Sequence, residues 1–402
     1  MKRLASCIAA IAAVVLSVSP ALAQKKYGPG VTDAEIKIGQ TMPYSGPASA
    51  YGVIGKAEAA YFAMINDQGG VNGRKINLIS LDDGYSPPRT VEQTRKLVEQ
   101  EEVLLIFQSL GTPTNTATQK YLNAKKVPQL FLASGASKWS DPKNFPWTMG
   151  WNPSYQAEGR IYAQHILETK PDAKIAVIYQ NDDFGKDYVV GFKGMLGEKG
   201  AKLIVAEQSY EVTDPTVDSQ VVSLKSSGAD VLVTFATPKF AAQVIRKVHD
   251  IGWRPVHYLT NVSISVAAVL VPAGLEKATG ILSAHYIKDA TDPQWKNDPA
   301  FKVWDDWMKK YHKSGDPLDG FNTYGYTTAQ TLVHVLKACG DDLSRENVMR
   351  QAANLKGLEL PMLLPGIKLN TSPTDFNPIG EMMMTRFDGK RWVVTDKLLS
   401  GR

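Results

Sequence analysis

Val103-Leu104-Leu105-Ile106-Phe107, then Ser109-Leu110-Gly111-Thr112-Pro113-Thr114, a polar run to about Lys126, then Gln129-Leu130-Phe131-Leu132-Ala133 and Ser134-Gly135-Ala136-Ser137: this stretch decides the fold. The two apolar runs read as buried strands, and the segment between them as a helix opened by a small, hydroxyl-rich turn. Strand, helix, strand in that order makes a parallel pair with a right-handed crossover. Both strands then end on the same side, in loops of Ser, Thr and Gly. Ligands of open α/β sheets bind outside the carboxyl ends of the strands. A helix N-terminus with unpaired N–H groups there favours a carboxylate or another anion. The stretch reads equally as a small-anion cradle or as an ordinary βα turn, since Ser, Thr and Gly are also common caps.

Working outward, the same alternation continues in both directions. Ile36 to Gly39 is a strand ending in the turn-rich Thr41 to Pro47. A helix from about Gly52 to Gln68 stops at Gly69-Gly70, and Lys75 to Leu81 alternates as a second strand before Asp82-Asp83-Gly84. Asn144 to Gly150 reads as a strand leaving this first unit. From Ser154 the plan repeats, with strands at 174–179, 202–208, 230–235 and 256–259 and helices between them, one of them at about 214–227. Gly280 to Ala284 and the proline-flanked Leu360 to Pro365 read as two further crossings, and 381–387 with 391–395 as a terminal hairpin. The expected architecture is α/β, two Rossmann-like lobes with parallel sheets joined by three crossing strands. Residues 24–150 and 286–362 are assigned to lobe 1, and 151–285 and 363–402 to lobe 2.

The chain has 402 residues, enough for two cores, and a formal net charge of +5. No basic cluster is interleaved with aromatics, so nucleic acid is not an expected partner. Met1-Lys2-Arg3, the apolar Ile8 to Val18 and Pro20-Ala21-Leu22-Ala23 read as a secretory leader cleaved after Ala23, so the mature protein is expected to be exported. Leu4-Ala5-Ser6-Cys7 has the letters of a lipid-attachment site but precedes the apolar run, which argues against lipidation. Cys339 is then the one remaining cysteine, so no internal disulfide is expected.

Catalytic motifs are missing: there is no GxSxG, HExxH, CxxC or phosphate-binding GxxxxGK[ST]. The six histidines are scattered. The doublets Asp82-Asp83, Asp182-Asp183, Asp305-Asp306 and Asp341-Asp342 point apart on strand or helix and read as turn, cap and surface residues. No enzyme, cofactor or metal is expected.

Several stretches in order, Ile36-Lys37-Ile38-Gly39, Ser45-Gly46-Pro47, Ile65 to Arg74 and Asp82-Asp83, together resemble the periplasmic solute-binding proteins of branched-chain amino acid ABC transporters. The resemblance implies two lobes that close on a small solute, an amino acid or an aromatic carboxylate. The closed form, expected as a monomer, is presented to a membrane permease. It also implies that two first-lobe loops hold the solute carboxylate, matching Gly111, Thr112, Gly135, Ala136 and Ser137. Because glycine stands where the family has a hydroxyl, Gly111 would offer its N–H. Tyr51 matches an aromatic packed on the solute, with Tyr44 a weaker match. Phe184 and Thr237 match the second-lobe wall. The family's amino-acid binders place a carboxylate after a strand like Val256 to Leu259 to pair the ammonium. Here that position reads Thr260-Asn261-Val262-Ser263, where Asn261 can accept one hydrogen bond but carries no charge. An unpaired buried ammonium is costly, so this departure points to an ammonium-free acid. A branched-chain amino acid is the alternative. A ligand-binding sensor of the same fold, or a secreted α/β enzyme, are the other readings.

Overall fold

In a computed structural model, residues 25–401 are described; the leader and its cleavage site lie outside them. Five strands form the first sheet: Glu35–Met42 (β1), Lys75–Asp82 (β2), Leu105–Phe107 (β3), Gln129–Leu132 (β4) and Thr148–Gly150 (β5). They are all parallel, in the order β2-β1-β3-β4-β5. Ile38 pairs with both Leu78 and Leu105, which places three apolar strands in register at the sheet centre. The second sheet contains Ile175–Gln180 (β6), Ile204–Tyr210 (β7), Val231–Phe235 (β8), Val256–Leu259 (β9), Leu282–His285 (β10), Glu381–Phe387 (β11) and Trp392–Ser400 (β12). Its order is β12-β11-β10-β9-β8-β6-β7, parallel except for the terminal β11–β12 hairpin, which joins antiparallel at the β10 edge. The parallel parts of the two sheets share one winding plan, and each reverses direction beside its first strand. That reversal opens a crevice at the strand ends.

Helices cover the sheets: Gly52–Asp67 (α1), Pro87–Glu99 (α2), Thr112–Ala124 (α3), Tyr155–Thr169 (α4), Asp183–Ala201 (α5), Asp218–Ser226 (α6) and Pro238–Asp250 (α7). Pro299–Tyr311 (α8), Gly320–Cys339 (α9) and Arg345–Ala352 (α10) follow. Proline stands in the first turn of α2, α3, α7 and α8, where its missing N–H costs nothing. The helices α8 and α9 return to the first sheet: Tyr326 meets Tyr61 of α1 edge-on at 4.9 Å, and Trp307 packs on Tyr326 at 4.7 Å. Trp304, Trp307 and Met308 are buried, as is the free Cys339.

Three segments cross between the sheets. β5 leads to α4. The chain after β10 pairs with the proline-flanked segment, through the Ile287–Leu363 bridge, Lys288 N–H to Met362 O at 2.8 Å and Leu364 N–H to Tyr286 O at 2.9 Å. Two expected elements are shorter than the sequence suggests. Residues 144–147 form a turn ahead of β5, and α6 starts only at Asp218, after Val217 with a non-helical φ of −113° and ψ of 18°.

Candidate functional site

The crevices of the two sheets face each other and enclose about 850 Å³ of space between atoms, including the mouth. That is the size of a small-molecule site. At its first-lobe side, Thr112 opens α3 after Gly111, whose φ is +103°. The Thr112 and Ser134 hydroxyls pair at 2.7 Å, and the Tyr155 hydroxyl lies beside both. The first amides of α3 have no intrahelical acceptor. Hydroxyls clustered at a helix N-terminus suit an anion.

Six of the residues singled out in the sequence line this cavity: Tyr51, Gly111, Thr112, Phe184, Thr237 and Asn261. Tyr51 packs on Phe321 at 5.0 Å and its hydroxyl donates across the cleft to Val262 O at 3.0 Å. Phe184 stands edge-on to Tyr155 at 5.2 Å. The Thr237 hydroxyl donates to Gln180 Oε1 at 3.1 Å. Asn261 donates from its side-chain amide to Ala284 O at 2.6 Å, which leaves its oxygen as the group to present.

Four others stand away from the cavity. Tyr44 turns its hydroxyl to Ser80 Oγ at 2.6 Å. Gly135 is pressed against Pro153 and Tyr155: a Cβ there would lie 2.3 Å from Pro153 O and 2.8 Å from the Tyr155 ring. Ala136 is buried and turns its N–H to Ser134 Oγ at 3.4 Å. Ser137 is committed to Asp187 of α5, with N–H to Oδ2 at 2.8 Å and Oγ to Oδ1 at 2.7 Å. A carboxylate of the protein itself thus occupies the second expected loop. The expectation for Gly111 also needs correction, since its N–H donates to Ala133 O at 3.2 Å.

The acidic doublets are caps and surface pairs. Asp182 caps α5 through the amides of Phe184 and Gly185, Asp183 pairs with Lys138 at 2.8 Å, and Asp82 holds Tyr44 N–H and Ser45. Neither Asp182 nor Asp183 lines the cavity.

Sequence reasoning missed several walls. Tyr85 follows β2, and applying the strand-end rule to that strand would have found it. Tyr155, Tyr286 and Tyr324 come from a helix start, a crossing and α9, and no local pattern marks them. It also missed two carboxylates. Asp289, on the second crossing, lines the cavity, and burial with the nearby Asp292 charge raises its pKa. Glu158 of α4 lies behind the wall and accepts from Asn261 N–H, Tyr162 and Tyr188, each at 2.7 Å. Among the described residues no His, Cys, Asp or Glu cluster is arranged to hold a metal, and no helix is long and apolar enough to cross a membrane.

Two lobes with facing strand-end crevices and a cavity between them define a binding protein that closes on its ligand, and the chain belongs to the periplasmic binding protein family, whose model matches residues 35–391. Its relatives are binding proteins of transport systems, not enzymes. It is similar to a Leu/Ile/Val-binding protein homolog 7 of Brucella abortus, 25% identical over 386 residues that cover 90% of this chain and 92% of the relative. A Leu/Ile/Val-binding protein homolog 1 of Brucella suis is 26% identical, covering 78% of this chain and 81% of the relative. In fold it resembles a branched-chain amino acid ABC transporter protein from Thermus thermophilus with bound valine, at TM-score 0.82 and 17% identity, over 92% of this chain and 97% of that one. A fatty acid ABC transporter substrate-binding protein from Thermomonospora curvata superposes at TM-score 0.78 and 24% identity, over 94% and 95%.

Proposed function

We propose that the protein receives a small carboxylate-bearing solute with an apolar or aromatic body, closes on it, and delivers it to the permease of an ABC importer. The observation that carries this reading is the cavity itself. It lies between lobes, is walled by aromatic rings, and sets the N-terminus of α3 with Thr112 opposite Asn261 and Thr237. Valine and fatty acid, the solutes in the names of two structural neighbours, are both carboxylates. A solute that touches both lobes only when they close shifts the open–closed balance by its differential affinity. The protein acts as an exported monomer, starting at Gln24 once the leader is removed. Gly135, Ala136, Ser137 and Tyr44 take part through lobe closure and loop support rather than contact.

The test is a thermal-shift screen of residues 24–402, refolded from denaturant to strip resident solute, against amino acids, aromatic acids and aliphatic acids. Binding to the folded state raises the midpoint by mass action, and a solute at 100 times its Kd adds about 2.7 kcal/mol. At least one carboxylate is expected to raise it, and Tyr51→Ala to reduce that rise. If no carboxylate in the screen shifts the midpoint, the proposal fails.

A further inference from the structure

We infer that Glu158, which does not itself line the cavity, is a positioning residue for solute capture: it holds the second-lobe turn after β9 so that Val262 offers its carbonyl to Tyr51 as the lobes close; this rests on the solute-binding reading above. Tyr51 belongs to the first lobe, and its hydroxyl donates to Val262 O at 3.0 Å. That bond forms only if the turn carries its carbonyl at the right height. Asn261–Ser263 is a single 3-10 turn. Its ends are fixed to the second lobe: Thr260 N–H donates to Thr234 O at 3.0 Å, and the Ser263 hydroxyl to Ala236 O at 2.6 Å. Between those ends, Asn261 gives its N–H to Glu158 Oε1 at 2.7 Å.

The ordinary account of Glu158 is a buried acid that satisfies two tyrosine hydroxyls, Tyr162 on Oε1 and Tyr188 on Oε2. The three bonds differ in what depends on them. Tyr162 has a second acceptor in Leu259 O at 2.8 Å. Asn261 N–H has Glu158 alone among the described residues. Two further threads of the same cluster end on the turn. The Thr260 hydroxyl donates to Tyr188 at 2.6 Å. The Asn261 side-chain amide is held by Ala284 O, while Ala284 N–H donates to the Tyr162 hydroxyl at 3.1 Å. Glu158 meets no cation among the described residues, and a carboxyl buried without one costs stability. Packing alone gives no reason for such a group, whereas holding the turn does. Glu158 lies in the first turn of α4, so it ties the turn to the helix that follows the first crossing.

A double-mutant cycle on solute affinity tests this. The refolded wild type is titrated calorimetrically with leucine, phenylalanine, 4-methylpentanoate and 3-phenylpropionate, and the tightest binder serves for every variant. Tyr51→Phe removes only the hydroxyl and is expected to weaken binding about fivefold. Glu158→Leu accepts nothing from Asn261 and is expected to weaken it about tenfold. The two together should stay within about twofold of Glu158→Leu alone, because a displaced Val262 carbonyl leaves the Tyr51 hydroxyl no bond to lose. Glu158→Gln still accepts from Asn261 N–H and should bind within about threefold of wild type. Near-ultraviolet circular dichroism checks the fold of each variant. If Glu158→Leu does not fold, Tyr188→Phe, which cuts the thread to Thr260, takes its place in the cycle, with a loss of about threefold and the same non-additivity. Fully additive losses overturn the inference and leave the solute reading standing. So does wild-type affinity in Tyr51→Phe or Glu158→Leu, or a loss in Glu158→Gln as large as that in Glu158→Leu. A wild type that binds none of the four overturns the inference together with the carboxylate reading.

Discussion

Gly111 sets the angle at which β3 gives way to α3. Its φ of +103° is a region that side chains avoid, and an added Cβ would lie 2.5 Å from the Tyr85 ring and 2.6 Å from Thr114 Oγ1. Gly111→Ala should therefore destabilise the protein by about 1–3 kcal/mol and displace Tyr85 from the cavity. Chemical denaturation of the variant checks this, and an unchanged midpoint contradicts it. Glu158 offers a second test. It is 2% exposed, and burial raises its pKa from 4.5 to about 7 despite three donors. The folded state thus holds the proton more tightly than the unfolded chain. The stability this contributes is present below about pH 4.5 and is lost as pH rises through about 7. Glu158→Gln, which keeps an acceptor for Asn261 N–H, should flatten the fall in unfolding free energy between pH 5 and 8; the same slope in both proteins would refute this. Residue type was legible at both expected loops, but facing was not. Thr112 and Ser137 are both strand-end hydroxyl residues, yet one meets the cavity and the other meets Asp187, a partner 50 residues away.

At the scale of elements, the contact between α5 and the loop after β4 joins the lobes on one side of the cleft. Ser137 and Asp187 share two bonds, Gln156 Nε2 reaches Asp187 Oδ1 at 2.8 Å, and Lys138 pairs with Asp183. On the other side the Ser265 hydroxyl donates to Asp319 at 2.8 Å, beside the Tyr51–Val262 bond. Except for the Gln156–Asp187 bond, which joins α4 to α5 on the same side, these bonds exist only while the lobes are together. Asp187→Ala should shift the solute-free protein toward the open form and weaken solute binding on the order of tenfold, the worth of charge-assisted bonds. Small-angle scattering would show a larger radius of gyration without solute. Identical scattering and affinity would show that the clasp does not govern closure. Strands and helices with strong periodicity were readable because their apolar spacing is local. The pairing of 287 with 363 was not, because two short crossings find each other only in three dimensions.

For the whole molecule, the first lobe is assembled from distant parts of the chain. The α1 face that carries Tyr61 and Glu58 is covered by α9, through the Tyr61–Tyr326 contact and the Thr328 hydroxyl to Glu58 Oε1 at 3.1 Å. A fragment of residues 25–150 would expose that face and leave Glu58 without Thr328. We expect it to lack dispersed amide resonances and near-ultraviolet circular dichroism, whereas the full chain shows both. A cooperatively folding fragment would show that the returning helices are dispensable.

The sequence by itself determined the alternation of strands and helices, the two-lobe plan, the crossings and the kind of chemistry at the strand ends. Each follows from local periodicity, turn residues and the handedness of βαβ units. Only the tertiary structure decided which strand-end groups face the cavity. It turned Ser137 to Asp187, placed the Tyr155 ring in front of Gly135, and brought Asp289 in from a crossing where no acid was sought. Those choices depend on the packing of two lobes against each other, and hydrophobic patterning along one chain carries no record of which partner a polar side chain meets across a cleft.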